Sequence, residues 1–399
     1  MSDSHSLFNI TLHYLAPVGA VILLGLLGGK AAKWVHLPKV SGYLIAGVMI
    51  GPSLLGLLTE EVVSSLSLIN DIALGLIMFS MGGLFEVHHI RSVGKKILWL
   101  VLAQAVGVVL FTTVAVHLAG IDLYPALLLG TIGIATAPAA TVLVIREYNA
   151  KGEFTDTLMT VVAASNIIGI LAFEWVLAMG EISQGTHFLY ALASPVYEIG
   201  GSLVIGLAVG YVISKWEQYV EDQAELVMII VAGIILVTGL AETLNLQPLI
   251  GTLIMGAVTT NLSLMHRLVY VELRQIEQPL YIAFFVLAGA SLHLDLLPSI
   301  GWAGIAYLFA RVAGKVVFVY VIARYKHLSS GIRKYLGWGM LVQAGVAIGL
   351  VDVLGETRPD LAAVITPIIL ATVLIYETVG PPIIEFILYR VGEIRTDQN

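Results

Sequence analysis

Cysteine is absent from the 399 residues, and charged side chains make up only 12% of them. The first absence excludes disulfides, thiol catalysis and cysteine-bound metal. The second excludes an ordinary soluble domain, in which about a quarter of the residues are charged. No glycine-rich phosphate loop, metal-ligand cluster or nucleophile triad stands out. The alternating apolar–polar pattern of a membrane barrel is also missing. The first apolar run follows MSDSHSLFNITLHYLAP, which has no basic stretch, and no cleavage site follows it. It reads as a retained helix rather than a signal peptide. What is abundant is apolar: 58% of the residues are hydrophobic. A chain of this size cannot hide so much apolar surface in its own core, so its solvent is lipid. Runs of about 20 apolar residues recur from end to end, long enough to cross a hydrocarbon layer of roughly 30 Å. Backbone in lipid has to satisfy its own hydrogen bonds, so the runs are expected to be helices.

Thirteen spans are expected, beginning near residues 9, 40, 65, 93, 123, 154, 187, 222, 246, 272, 298, 331 and 361. Charge distribution is an independent check on that count. All but three of the 20 Lys and Arg residues fall in one set of alternate loops. Arg358 is in the opposite set. Arg311 and Lys315 lie inside the eleventh span, IAYLFARVAGKVVFVYVIA, one turn apart and on one face. The positive-inside rule then puts the N-terminus outside and the C-terminus in the cytoplasm. The net charge of -7 is split by location and says little about partners.

The chain also resembles itself. GYLIAGVMIG at Gly42 is similar to GTLIMGAVTT at Gly251, and LIMFSMGG at Leu76 matches AFFVLAGA at Ala283. The latter offset, 207, also places ATAPAA at Ala135 over VQAGVA at Val342. The expected organisation is one membrane domain: repeat 1 over about 9–180, a linker helix over about 187–215 and repeat 2 over about 222–391. An odd number of spans separates equivalent positions, so the halves have opposite topology. Pro138 removes a backbone donor and clashes with the preceding turn. Gly345 weakens the equivalent helix. Breaks at matching points of two inverted halves are the best sequence pointer to a midplane ion or substrate site. The plainer alternative is that both residues simply kink membrane helices.

LPKVSGYLIAGVMIGPSLLG, TAPAATVLVIREYNAKGEFTDTLMTVVA, FFVLAGASLHLDLL and YETVGPPIIEFILYRVGE together resemble the monovalent cation/proton antiporters. The match preserves motif order over nearly the whole chain. It implies an all-α protein of the sodium/proton antiporter fold, homodimeric in the cell membrane. A six-helix core would move against a dimerisation domain, with discontinuous spans 5 and 12 crossing in the core. It also implies exchange of Na+ or K+ for H+, with no cofactor. In that family the sixth span carries an Asp-Asp or Asn-Asp pair. The second carboxylate binds cation and proton in competition, and a basic residue on the eleventh span, here Lys315, often pairs with the first Asp. This chain departs from the pattern, because Ser165 and Asn166 stand at the aligned place.

That departure matters chemically. Asn166 and Ser165 can contribute oxygens to a cation shell, but neither titrates near neutral pH. They cannot trade a cation for a proton. Three readings are open at this point. Another carboxylate has taken over: Glu174, eight residues on, then Glu377 in span 13 or Asp71 near the start of span 3. Alternatively the coupling ion has changed, with Lys315 and the permanently charged Arg311 serving an uncoupled or anion-linked carrier; half-helix N-termini also favour anions. Or the chain is a transport-inactive relative or an acid-neutralised variant. The plainer account of Arg311 and Lys315 is that they tie their helix to neighbouring backbone carbonyls. Thr136 and Gln343, in the two breaks, are ion-binding candidates that could instead recap broken backbone. His293, after Ser291 in the tenth-span motif, is a candidate pH-responsive group. His88, His89 and the run REYNAKGEFTD are expected to be solvated inner loops. The expected partners are the bilayer and a second copy, with no nucleic acid and no nucleotide-binding domain after Glu393.

Overall fold

Helix ends fall where side-chain chemistry favours them. In this computed structural model residues 15–83, 85, 87–183, 188–220, 222–263, 266–291 and 301–394 are described. They form α1 (Leu15–Trp34), α2 (Lys39–Ile50), α3 (Glu60–Ser65), α4 (Ser67–Gly82), α5 (Val87–Leu118), α6 (Leu123–Ile132), α7 (Pro138–Glu147), α8 (Glu153–Ser183) and α9 (Phe188–Trp216). There follow α10 (Gln223–Thr243), α11 (Pro248–Leu262), α12 (His266–Ala290), α13 (Gly301–Tyr325), α14 (Ser330–Gly339), α15 (Gly345–Thr357) and α16 (Pro359–Val391). No strand occurs among the described residues. Pro138, Pro248 and Pro359 open helices at the first turn, where a missing N–H costs nothing. The Asp222 carboxylate caps α10 by accepting from Glu225 N at 2.7 Å. Gly392, at φ 74°, closes α16 in a left-handed turn.

Seven of these helices are long and apolar enough to cross a membrane, and six shorter apolar helices accompany them. The chain is therefore a multi-pass membrane protein. The start expected near residue 9 lies outside the described residues.

The helices pack as two groups. One comprises α5 to α8 with α13 to α16; the other comprises α1, α2, α4 and α10 to α12, with α9 lying against α11 and α8. The first group is centred on α5 and α13, which meet at two glycines 207 positions apart. A Cβ on Gly107 would lie 2.6 Å from the Gly314 carbonyl oxygen, and one on Gly314 would lie 2.5 Å from that of Gly107. No side chain fits there, so the two backbones touch. This contact sets the position of Gln104 on α5 and of Arg311 and Lys315 on α13, each within one turn of the glycines.

Replacing Gly314 with Val pushes α5 and α13 apart. Overpacking of this kind costs about 1–3 kcal/mol, so the variant should unfold several degrees below wild type in a detergent melting assay. Gly19→Ala, where an added Cβ meets nothing within 4 Å, should leave the midpoint in place. Equal midpoints for G314V and wild type would refute the contact.

Candidate functional site

Two helices stop inside the first group and restart. The chain is non-helical between Ile132 and Pro138, and again between Gly339 and Gly345. Ending a helix exposes carbonyls that have lost their partners. In lipid these must be satisfied by protein. The two gaps bond to each other directly: Ala137 N donates to Val342 O at 2.9 Å.

Arg311 and Lys315, both fully buried, fill the remaining need. Arg311 Nε donates to Gly133 O at 2.8 Å, Nη1 to Leu341 O at 2.7 Å and Nη2 to Ala135 O at 2.7 Å. One planar guanidinium thus ties the α6 end to the α14 end, a geometry that a lysine cannot reproduce. Its flat face lies 4.4 Å from the Tyr376 ring centroid, a favourable cation–π distance. Lys315 Nζ donates to Thr136 Oγ1 at 2.5 Å and to Ile134 O at 3.2 Å, with Ala135 O at 3.5 Å. Both charges therefore sit at helix C-termini, the negative ends of the peptide dipoles. They hold α13 to the backbone of its neighbours, and no aspartate partner is needed to explain their burial.

Asn166 works on the same gap. Thr136 N donates to Asn166 Oδ1 at 3.0 Å, and Asn166 Nδ2 donates to Thr136 O at 2.9 Å. The carboxamide pairs with both polar groups of one residue, which a carboxylate cannot do because it has no donor. Ser165 Oγ donates to Val161 O at 2.6 Å and accepts from Gln104 Nε2 at 3.1 Å. Gln343, in the second gap, donates to Ile132 O at 3.2 Å and hydrogen-bonds with the Tyr307 hydroxyl at 2.9 Å. Thr136, Asn166, Arg311 and Lys315 thus converge on the first gap, Ser165 adjoins Asn166 on α8 and Gln343 reaches Ile132 O from the second gap. All six are buried, with Pro138 and Gly345 opening the second half of each interrupted helix.

Other candidates lie elsewhere. Glu174 is buried two turns beyond Asn166 on α8 and is not without a partner. Glu377 is buried on α16. Asp71 is partly exposed on α4 and hydrogen-bonds with none of the cluster. Ser291 is exposed and donates to Leu287 O. His293 and the side chains of His88 and His89 lie outside what the structure describes. Three members of the site carry no sequence signal of their own: Gln104, Tyr307 and Tyr376. Gln104 could have been found, because it precedes Arg311 by the same 207 positions that separate Thr136 from Gln343.

The run REYNAKGEFTD is only partly the solvated loop its composition suggests: Asn149, Lys151, Glu153 and Asp156 are exposed, but Arg146 and Glu147 are engaged. Arg146 pairs with Glu277 of α12, whose second oxygen accepts from Ser80 of α4. The Glu147 carboxylate accepts from Lys39 N at 2.8 Å. Glu393, after α16, accepts from the amides of Phe154 and Thr155, both at 2.8 Å, and so caps α8 from a distance in sequence. Arg146, Glu147, Asp156, Lys39, Ser80 and Glu277 line a cavity of about 590 Å³ between the two helix groups.

Comparison with known proteins places this geometry in context. The profile of the family described as "Sodium/hydrogen exchanger, transmembrane" matches residues 19–388. The chain is 25% identical to the Na(+)/H(+) antiporter NhaS4 of Synechocystis, over 92% of this chain and 96% of that protein. It is 23% identical to the ammonium/H(+) antiporter subunit AmhT of Alkalihalophilus pseudofirmus, over 68% and 69% of the two chains. Among solved structures it resembles the sodium proton antiporter MjNhaP1 of Methanocaldococcus jannaschii, with a TM-score of 0.71 at 18% identity, covering 95% of this chain and 96% of that one. This last likeness establishes the fold.

Arg311→Met removes the donor to three buried carbonyls. Each orphaned group costs about 1–3 kcal/mol, so R311M should aggregate on size exclusion or melt well below wild type. Arg311→Lys should fall between the two. An R311M protein as stable as wild type would show that the guanidinium does not hold the two helix ends together.

Proposed function

The chain belongs to the sodium/hydrogen exchanger family, and we propose that it exchanges a monovalent cation for protons across the cell membrane. It is a secondary transporter rather than an enzyme. The observation that carries this reading is the crossing itself, where two interrupted helices bond gap to gap beside the buried Ser165–Asn166 pair. Liberated backbone and side-chain oxygens at the membrane midplane are what a dehydrated cation requires. Thr136, Ser165, Asn166 and Gln343 are the proposed ion-facing oxygens. Lys315 and Arg311 set the charge of the site, and Glu174 is a further charged group along the same helix. Na+ and K+ are the proposed cargo, moved against H+. One relative is named for sodium and another for ammonium, which supports a monovalent cation without choosing among them. Homodimer formation through the group containing α1, α2, α4 and α10 to α12, and an N-terminus outside the cell, complete the proposal.

A second reading, an uncoupled or anion-linked carrier, draws on the two buried cations and the missing aspartates. Against it, the Arg311 and Lys315 nitrogens already donate to carbonyls and to Thr136. Their charge is met by helix ends rather than held ready for an anion.

Purified protein in liposomes carrying an acidic interior tests the proposal. Addition of Na+, Li+ or K+ should dissipate the pH gradient, read by an internal dye, with no effect in empty liposomes. Anion flux that ignores all three cations would favour the second reading, and silence with every ion would mark the chain as transport-inactive.

A further inference from the structure

An exchanger needs a group that is neutral with a proton and neutral again with a cation, and the Ser165–Asn166 pair cannot supply it. Among the described residues four carboxylates are buried: Glu174, Glu217, Glu277 and Glu377. Glu277 is spoken for by Arg146 and Ser80. Glu217 accepts from Ser263. Glu174 has a partner as well. Glu377 is 3% exposed, and its Oε1, like that of Glu174, is sealed from solvent; it differs from the rest in making no hydrogen bond or ion pair with the described residues.

Its position on α16 is bracketed by two contacts with the crossing. Tyr376, the preceding residue, lies under the Arg311 guanidinium. Gly380, one turn on, is pressed against the Val342 side chain, in the gap between α14 and α15. Val342 is also the residue whose carbonyl receives Ala137 N across the two gaps. Among the described residues no charged neighbour pairs with Glu377. From α13, Arg311 and Lys315 donate their hydrogen bonds to carbonyls and to the Thr136 hydroxyl. From α7, Arg146 is paired with Glu277 and Glu147 accepts from Lys39 N. Arg333, Lys334 and Tyr335 of α14 and Tyr43 of α2 make no hydrogen bond or ion pair with it.

We propose that Glu377 is the carboxyl group over which proton and cation compete in this chain, in place of the aspartate missing from α8. This inference rests on the exchange reading above and names its titrating residue. A bare carboxylate in lipid-like surroundings is costly, and functional unless paired. With no protein partner it is neutralised by a proton or by a cation. The exchange step is RCOOH + M+ giving RCOO−·M+ + H+, so one proton leaves for each cation bound and the charge of the site is conserved. The gap residue Val342 packs against Gly380, one turn along α16 from Glu377. Arg311 is held by its three carbonyls and makes no ion pair with Glu377.

Two measurements on wild type, Glu377→Gln and Glu377→Asp test this. The first is cation-dependent proton flux in liposomes. The second is infrared difference spectroscopy of the purified protein on adding Na+ or K+ at constant pH, which follows the protonated-carboxyl band. The expected result is loss of that band when cation is added to wild type, its absence from E377Q, loss of exchange in E377Q, and exchange with a displaced pH profile in E377D. Glutamine is isosteric, and size exclusion of E377Q confirms that it folds. If wild type and E377Q exchange alike with the same pH profile, Glu377 is not the titrating group, while the exchange reading stands. If wild type moves no cation yet its carboxyl band responds to cation, Glu377 binds the cation and the exchange reading fails. If neither flux nor band responds, both fail.

Discussion

Two helices that stop in the buried interior of a membrane protein leave carbonyl oxygens with nowhere to turn for hydrogen bonds, and the rest of this architecture answers that need. Buried backbone is out of reach of bulk water, and each unmet carbonyl is costly. The answer is two buried cations on one helix. Arg311 bridges the α6 and α14 ends through three separate bonds, and Lys315 covers the α6 side through Ile134 O and the Thr136 hydroxyl. The close approach of α5 and α13 at Gly107 and Gly314 brings those side chains to the level of the gaps. Stability and the shape of the site are therefore one problem here.

This arrangement changes what the Ser165–Asn166 pair is for. An acid beside Lys315 would make an ion pair; an amide makes something different. Asn166 binds the peptide groups of Thr136 as another stretch of backbone would, donating once and accepting once. It fixes the gap instead of titrating in it. Charge balance at the crossing is then provided by helix dipoles, and proton exchange has to come from elsewhere. The proposal for Glu377 rests on its burial one turn from Gly380, which packs on the gap residue Val342, and on its having no partner among the described residues.

Much of this was readable from the residues because their chemistry is carried in their identity. Apolar runs of membrane length have few alternatives to helix. Proline cannot donate, so Pro138 announces an interruption wherever it falls in an apolar run. Arg311 and Lys315 were conspicuous as charges among aliphatic residues. Their partners were not, because they are backbone carbonyls, which every residue owns and no side chain advertises. Gln104, Tyr307 and Tyr376 were unremarked for a related reason: a lone polar residue in a membrane helix has no pattern until its neighbour is known. Only the 207-residue offset linking Gln104 to Arg311 hinted at it. The polar run that begins at the end of α7 misled only in part: Lys151, Glu153 and Asp156 are exposed, whereas Arg146 and Glu147 find partners on α12 and at the start of α2.

Asn166→Asp tests most directly whether that residue is a backbone pin or a silenced acid. If it is a pin, aspartate cannot donate to Thr136 O, and the variant should melt below wild type and gain no exchange activity in liposomes. A variant at least as stable as wild type, with newly gained or strongly raised cation-dependent proton flux, would contradict the account and show that α8 still houses the exchange site.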